Sequence, residues 1–209
     1  MKNIAITQRL IINQTYYEER ECLDINYAKL LEKCNFLPIA LAYNLDFKNY
    51  FNELKIDGVI ITGGNNLSAY DSKNKMSIKR DKYEKSLIEY CFKNKVHVYG
   101  ICRGMQIIAD YFGCSFKKVE GHVGNNHLIN ANKNSRFYNQ LKEIKLVNSY
   151  HEYSIEDIDN SLIISATDKT GLIKALEHKT LKVFGQMWHS EREEKIPASH
   201  INLIKEFFK

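Results

Sequence analysis

Only two of the 209 residues are proline and ten are glycine, which excludes a Pro-rich or Gly-rich low-complexity chain. No stretch approaches the roughly 18 to 20 consecutive apolar residues that cross a bilayer. Met1-Lys2-Asn3 leads straight into Ile4-Ala5-Ile6 without the apolar core of a signal peptide, so a cytoplasmic protein with no membrane partner is expected. The five cysteines (Cys22, Cys34, Cys91, Cys102, Cys114) are odd in number and widely spaced. No CxxC pair occurs among them, which suggests neither a disulfide framework nor a zinc site. A formal charge of +5 comes from 30 basic against 25 acidic residues. These are scattered with no basic block and no interleaved aromatics, so a small anionic substrate is a better expectation than a nucleic acid.

Against these absences stands a globular composition, 44% hydrophobic and 26% charged, enough for one large core. Asn3 to Thr7 reads as a strand, Cys22 to Cys34 as a helix and Phe36 to Ala40 as a second strand. Val59 to Thr62 follows Asp57-Gly58 and ends in Gly63-Gly64. Lys79 to Asn94 is a long amphipathic helix with Tyr83, Leu87, Tyr90 and Cys91 inward, and Val96 to Ile101 is extended. Alternating strands and helices with continuously apolar strands predict a mostly parallel sheet covered on both faces. After a short helix, Met105 to Phe112, closed by Gly113, the pattern changes to short strands at 114–119, 144–147, 162–166, 173–176 and 181–186. The last two are joined as a hairpin, and Pro197 starts a C-terminal helix. The expected fold is one α/β domain over 1–209 with a mixed, antiparallel extension of the sheet.

The sharpest local signal is Gly100-Ile101-Cys102-Arg103-Gly104, placed between an apolar strand and a helix. A nucleophile on a strained strand-turn-helix needs neighbours without a Cβ, so that strand and helix can close. At this composition a chance G-x-C-x-G has a probability of roughly 0.01. The helix dipole stabilises a thiolate at Cys102, and an imidazolium would lower its pKa further. Of the seven histidines, His189 stands out because Trp188-His189-Ser190-Glu191 follows an apolar strand. In extended chain, the i, i+2 spacing puts His189 and Glu191 on one side, where the carboxylate can orient the imidazole. A histidine at a strand end is ordinarily a satisfied surface residue; the elbow upstream reverses that expectation. Cys102, His189 and Glu191 form a candidate catalytic triad.

Here the sequence resembles the class I glutamine amidotransferase domains, and more closely their stand-alone γ-glutamyl hydrolase branch. Five blocks carry the likeness in order: Asp57 to Gly64, Arg80-Asp81 with Glu84, Gly100 to Gln106, Val147 to His151, and Gln186 to Glu191. The resemblance implies the same triad and an oxyanion hole from the backbone N–H groups of Gly64 and Arg103. It also implies that Gln106 and Ser149-Tyr150-His151 hold a glutamyl moiety. Glutamate would be released through a thioester, with no metal or organic cofactor and no obligate protein partner. Within the family the likeness is strongest to a bacterial branch from surface-polysaccharide phosphoramidate pathways, which implies a small-molecule γ-glutamyl substrate with an anionic, nucleotide-linked leaving group.

The chain departs from the family at Ser190, where proline is usual, and at Asn65-Asn66. The first is expected to do no more than loosen a turn, whereas the second bears on the substrate pocket. Arg103 directly after the cysteine argues against a related superfamily that places histidine there. His122 and His127 are expected in a loop bordering the active site rather than in a metal site, because no carboxylate lies near them at ligand spacing. Arg9, Arg20 and Arg103 are the arginines that could meet an anionic substrate. Two rivals remain: a glutaminase subunit that passes ammonia to a synthetase, and a non-catalytic glutamyl-binding sensor.

Overall fold

Gly58–Ile61 and Val183–Gln186 are buried at every position, and strands apolar on both faces fold only where both faces are covered. The computed structural model describes all 209 residues. In chain order, β1 (Lys2–Ile6) leads into a hairpin of β2 (Arg9–Ile12) and β3 (Glu19–Cys22), then α1 (Asn26–Lys33) and β4 (Phe36–Ala40). A short α2 (Lys48–Glu53) precedes β5 (Gly58–Ile61), α3 (Lys75–Lys93), β6 (His97–Ile101) and α4 (Arg103–Tyr111). The second half holds β7 (Phe116–Lys118), β8 (Val123–Ala131), α5 (Tyr138–Leu141), β9 (Leu146–Tyr150) and β10 (Tyr153–Ile155). It closes with β11 (Leu162–Asp168), β12 (Ile173–His178), β13 (Val183–Gln186), a single 3-10 turn at Ser190–Arg192 and α6 (Ala198–Phe207).

One nine-stranded sheet in the order β4-β1-β5-β6-β13-β12-β11-β8-β9 organises the chain. The strands from β4 to β13 run parallel; from β13 outward every pairing is antiparallel. This is the expected parallel sheet with a mixed extension, and β12 and β13 form the expected hairpin. A continuous core of 45 buried residues runs through it. No helix is long and apolar enough to cross a membrane.

Several boundaries differ from the sequence reading, each for a local reason. α3 begins at Lys75 because the Asn74 side chain accepts hydrogen bonds from Met76 N and Ser77 N at 3.1 and 3.2 Å, satisfying two amides of the first turn. α1 begins at Asn26 because Cys22 is used by β3 in the hairpin with Arg9. The segment expected as a loop around His122 and His127 is largely strand β8. Its Gly124-Asn125-Asn126 stretch has poor strand propensity, but the ladder with β9 imposes the conformation.

The sheet delivers the functional segments to one edge. Gly63-Gly64, Cys102 and His189 all lie just beyond the carboxyl ends of β5, β6 and β13, three neighbours in the parallel half, where open α/β sheets form their crevice. Cys102 has φ 53° and ψ −105°, the strained geometry expected of an elbow. A Cβ on Gly104 would lie 1.9 Å from the Ile61 carbonyl oxygen, and one on Gly100 would lie 2.5 Å from the Gly104 carbonyl carbon. The two glycines are therefore what lets α4 close onto β5 and β6. Gly104→Ala is expected to destabilise by about 3 kcal/mol or more, since rigid backbone cannot give way; the midpoint of denaturant unfolding measures it.

Candidate active site

The triad residues come together as the spacing suggested, by a different local geometry. His189 is extended (φ −104°, ψ 91°), but Glu191 lies in the 3-10 turn that follows rather than in continued strand. His189 Nδ1 lies 2.5 Å from Glu191 Oε1, and the other edge of its ring converges with Cys102 at Gly63, where a Cβ would lie 3.6 Å from His189 Nε2 and 3.7 Å from Cys102 Cβ. Ser190 is fully buried and its hydroxyl accepts a 2.9 Å bond from Gln186 Nε2. That residue anchors the turn, which corrects the expectation that it would loosen it. The same Gln186 amide donates to Trp188 O at 2.8 Å.

Burial by itself would raise the Cys102 thiol, but the neighbouring His189 imidazolium outweighs burial and holds the pKa below its usual value, with Arg192 assisting. Burial likewise opposes a charged His189; the Cys102 thiolate and the Glu191 carboxylate raise it above the ordinary imidazole range. The pair is thus poised as thiolate and imidazolium. Cys34, Cys91 and Cys114 are buried thiols raised by desolvation, Cys34 to about 12. Cys22 is half-buried and faces a cavity rather than the core.

A cavity of about 270 Å³ opens over Cys102, lined by Gly64, Arg103, Gln106, Tyr150, His151 and neighbours that include Asn65, Asn66 and Tyr153. It gathers most of the residues that the family likeness had singled out. Ser149 is not among them. Alternation along β9 turns Asn148 and Tyr150 towards His189, while the Ser149 hydroxyl lies 3.4 Å from His122 Nδ1 on the other face. Gln106 Nε2 donates to Tyr153 O at 3.0 Å.

Asn148 is a residue whose role sequence reasoning missed. Its Oδ1 accepts from His189 N and its Nδ2 donates to His189 O, both at 2.8 Å, so a side chain on β9 grips both backbone groups of His189. An Asn inside a strand carries no signal for this beyond its place in the Val147 to His151 block.

The Arg103 side chain is also corrected. It is 1% exposed and ion-paired to Asp81 and Glu84, so it faces the protein interior and only its backbone borders the cavity. Glu84 in turn bonds Arg80 Nε at 2.9 Å. Arg80 donates to Gly63 O at 2.9 Å, Thr62 O at 2.8 Å and Asn65 Oδ1 at 3.3 Å. Two arginines and two carboxylates thus tie the Gly63 to Asn65 loop to the start of α4. Burial would raise Glu84, but Arg103 and Arg80 outweigh it and hold the carboxyl below its usual range.

Behind the cavity lies a second buried polar group. Lys174 Nζ, on β12, lies 3.0 Å from His122 Nδ1, 3.1 Å from His151 Nε2 and 3.6 Å from Asp168 Oδ2. Burial, then the Lys174 charge, lowers His122 to about 4 and His151 to about 3, so neutral imidazoles accept from the ammonium. The expectation that no carboxylate would stand near His122 and His127 is overturned by Asp168, brought in on β11. These three side chains could jointly hold a metal ion, and Lys174, whose charged form burial disfavours, stands beside His122 and Asp168. Arg20 pairs with Glu18 on the β2–β3 hairpin and lines neither cavity at the triad.

A strained cysteine elbow at the edge of a mixed α/β sheet, with an imidazole and a carboxylate behind it, defines a cysteine hydrolase of the glutamine amidotransferase type. Solved structures share the fold, two of them at nearly full length of this chain. A glutamine amidotransferase from Thermotoga maritima has a TM-score of 0.69 at 17% identity, covering 98% of this chain and 83% of its own. A protein assigned to GMP synthase, from Thermoplasma acidophilum, has a TM-score of 0.74 at 16% identity, covering 100% and 92%. The γ-glutamyl-CDP-amidate hydrolase of Campylobacter jejuni is 42% identical over 208 residues, 98% of this chain and 96% of that protein. The peptidase C26 model matches residues 4–191, and the chain belongs to that family. It is a cysteine-dependent γ-glutamyl amide hydrolase.

Glu84→Gln is expected to cost about 3 to 5 kcal/mol at neutral pH, because it leaves buried guanidinium charge uncompensated. A carboxyl with a depressed folded-state pKa stabilises above its unfolded value of about 4.3 and loses that contribution as pH falls through the folded value. The deficit of the variant should therefore narrow in acid, as read from urea midpoints at neutral and acidic pH.

Proposed function

We propose that this enzyme releases L-glutamate from γ-glutamyl-CDP-amidate, giving cytidine diphosphoramidate. The near full-length likeness to the Campylobacter jejuni hydrolase carries the reading, and the poised Cys102–His189 pair supports it. Cys102 Sγ attacks the γ-carbonyl carbon, and the Gly64 and Arg103 N–H groups receive the developing oxyanion. The C–N bond breaks as His189 passes its proton to the departing nitrogen, leaving a γ-glutamyl thioester. A water then attacks, giving its proton to His189; the C–S bond breaks, glutamate leaves and the thiolate returns. Glu191 keeps the imidazole oriented and stabilises its cation. Gln106, Tyr150 and His151 border the glutamyl group, and Ser149 supports that strand from its other face. The proposed setting is cytoplasmic, and the product would serve phosphoramidate modification of a capsular polysaccharide.

The test is product analysis by mass spectrometry with γ-glutamyl-CDP-amidate and with glutamine. Glutamate and cytidine diphosphoramidate are expected from the purified protein without a partner. If the protein is inert alone but releases ammonia from glutamine once a synthetase is added, the glutaminase-subunit description replaces this one.

Cys102→Ala should abolish turnover. Iodoacetamide should alkylate Cys102 long before Cys34 or Cys91, as peptide mapping would reveal; equal labelling would contradict the poised pair. Removing His189 should cost roughly 10²- to 10⁴-fold in rate, and adding Glu191→Gln to that variant should cost little more, because both residues serve one proton transfer. Multiplicative losses would place Glu191 in another role. The profile of kcat/KM should rise at a pH below about 8.5, the free thiol value, as the depressed Cys102 ionises. It should fall again above about 6.5, where the raised His189 loses its proton. Glu191→Gln should move that alkaline limb down.

A further inference from the structure

The triad is flanked by two cavities rather than one. The cavity over Cys102 is lined by Gln106, Tyr150 and His151. The other, of about 350 Å³, is lined by Gly63, His189, Glu191, Arg9, Arg192 and Cys22, with Gly64 common to both. A substrate whose γ-carbonyl is seated on Cys102 must send its glutamyl chain one way and its leaving nitrogen the other. The nitrogen has to lie beside His189, the group that protonates it. The cavity containing His189 but neither Cys102 nor Gln106 is therefore on the leaving-group side.

Its size and its charge both speak to what leaves. Ammonia needs about the 30 Å³ of one water, so the cavity is an order of magnitude larger than glutamine hydrolysis requires. Two arginines, Arg9 and Arg192, line it. The aliphatic part of Arg9 packs along the oxyanion loop, where a Cβ on Gly64 would lie 3.0 Å from Arg9 Cδ and Cγ. Arg9 is in no ion pair. Arg192 follows directly after Glu191, reaches its Oε1 only at 3.9 Å, and stacks its guanidinium 4.7 Å above the Tyr150 ring. Stacking holds it at the seam between the cavities. The carboxylates in the lining are Glu191, committed to His189, and Asp24, whose Oδ1 accepts from Asn26 N at 2.9 Å.

We propose that this second cavity is a leaving-group subsite in which Arg9 and Arg192 clamp the phosphates of a nucleoside diphosphate-type leaving group. The planar forks of two arginines lining one cavity match phosphate oxygens in a way that lysine does not. The assignment rests on the functional reading above, and it moves anion recognition from Arg103, whose side chain is buried, to two arginines at the cavity.

The experiment is calorimetric titration of CDP, and of cytidine, into the Cys102→Ala protein and into the same protein carrying Arg9→Gln, Arg9→Lys or Arg192→Gln. Circular dichroism checks that each variant is folded. CDP should bind more tightly than cytidine, and each Gln variant should weaken CDP by about ten- to a hundredfold, as for hydrogen bonds to charged groups. Arg9→Lys should recover part of that loss. With Cys102 restored, kcat/KM for γ-glutamyl-CDP-amidate relative to glutamine should fall by a similar factor in the Gln variants. If the phosphoramidate is cleaved but CDP fails to bind, or binds equally to all variants, the clamp is overturned while the functional reading stands. If CDP binds through both arginines but the phosphoramidate is not cleaved, the functional reading falls and the anion subsite survives. Absence of both binding and cleavage overturns both.

Discussion

The site depends on four buried charges placed between two backbone segments that are far apart in sequence. Arg80 and Glu84 face the same side of α3 one turn apart, and Glu84 and Asp81 together take the guanidinium of Arg103 at the start of α4. Arg80 simultaneously grips the carbonyls of Thr62 and Gly63. Buried ion pairs contribute little net stability compared with apolar packing. What this network supplies is registration: it fixes the loop that carries the Gly64 amide against the elbow that carries the Arg103 amide. The proposed oxyanion hole requires this, because two amides can serve one oxyanion only if their spacing is set before reaction.

The imidazole is held with similar economy of freedom. Asn148 binds the backbone of His189 from β9, Glu191 binds its ring from the following turn, and Gln186 ties Ser190 to the end of β13. The Asn148 contact crosses from the parallel half of the sheet to its antiparallel extension. The extension is therefore more than a covering for the core, since it brings β9 to the mouth of the crevice. Its price in buried polarity is the Lys174 group, where Lys174 Nζ bonds two imidazoles and stands 3.6 Å from an Asp168 oxygen that has no hydrogen-bond partner of its own.

Charge near the crevice is thus sorted by depth. Arg80 and Arg103 are consumed by internal carboxylates, Lys174 by imidazoles and Asp168, and Arg9 and Arg192 remain exposed at the second cavity. A net surplus of basic residues says nothing of this sorting. Arg103, beside the nucleophile in sequence, turns inward, whereas Arg9, remote from it at the start of β2, stands at the cavity.

Local sequence determined the parts of this protein that depend on neighbours in the chain. Apolar runs set β1, β5 and β6, the glycines at 100 and 104 set the elbow, and the two-residue step from His189 to Glu191 put imidazole and carboxylate within reach. Each follows from backbone geometry and side-chain volume over a few residues. Tertiary structure decided the rest. The Gly-Asn-Asn run in β8 became strand only through its ladder, Asp168 reached His122 and His127 only by pairing of β11 with β8, and Asn148 met His189 only across the sheet. Which arginines are buried and which are open depends on carboxylates supplied by other elements, so no pattern along the chain could have sorted them. Interactions within a turn or strand are written in spacing; the desolvation and pairing of a charge depend on what the fold packs against it.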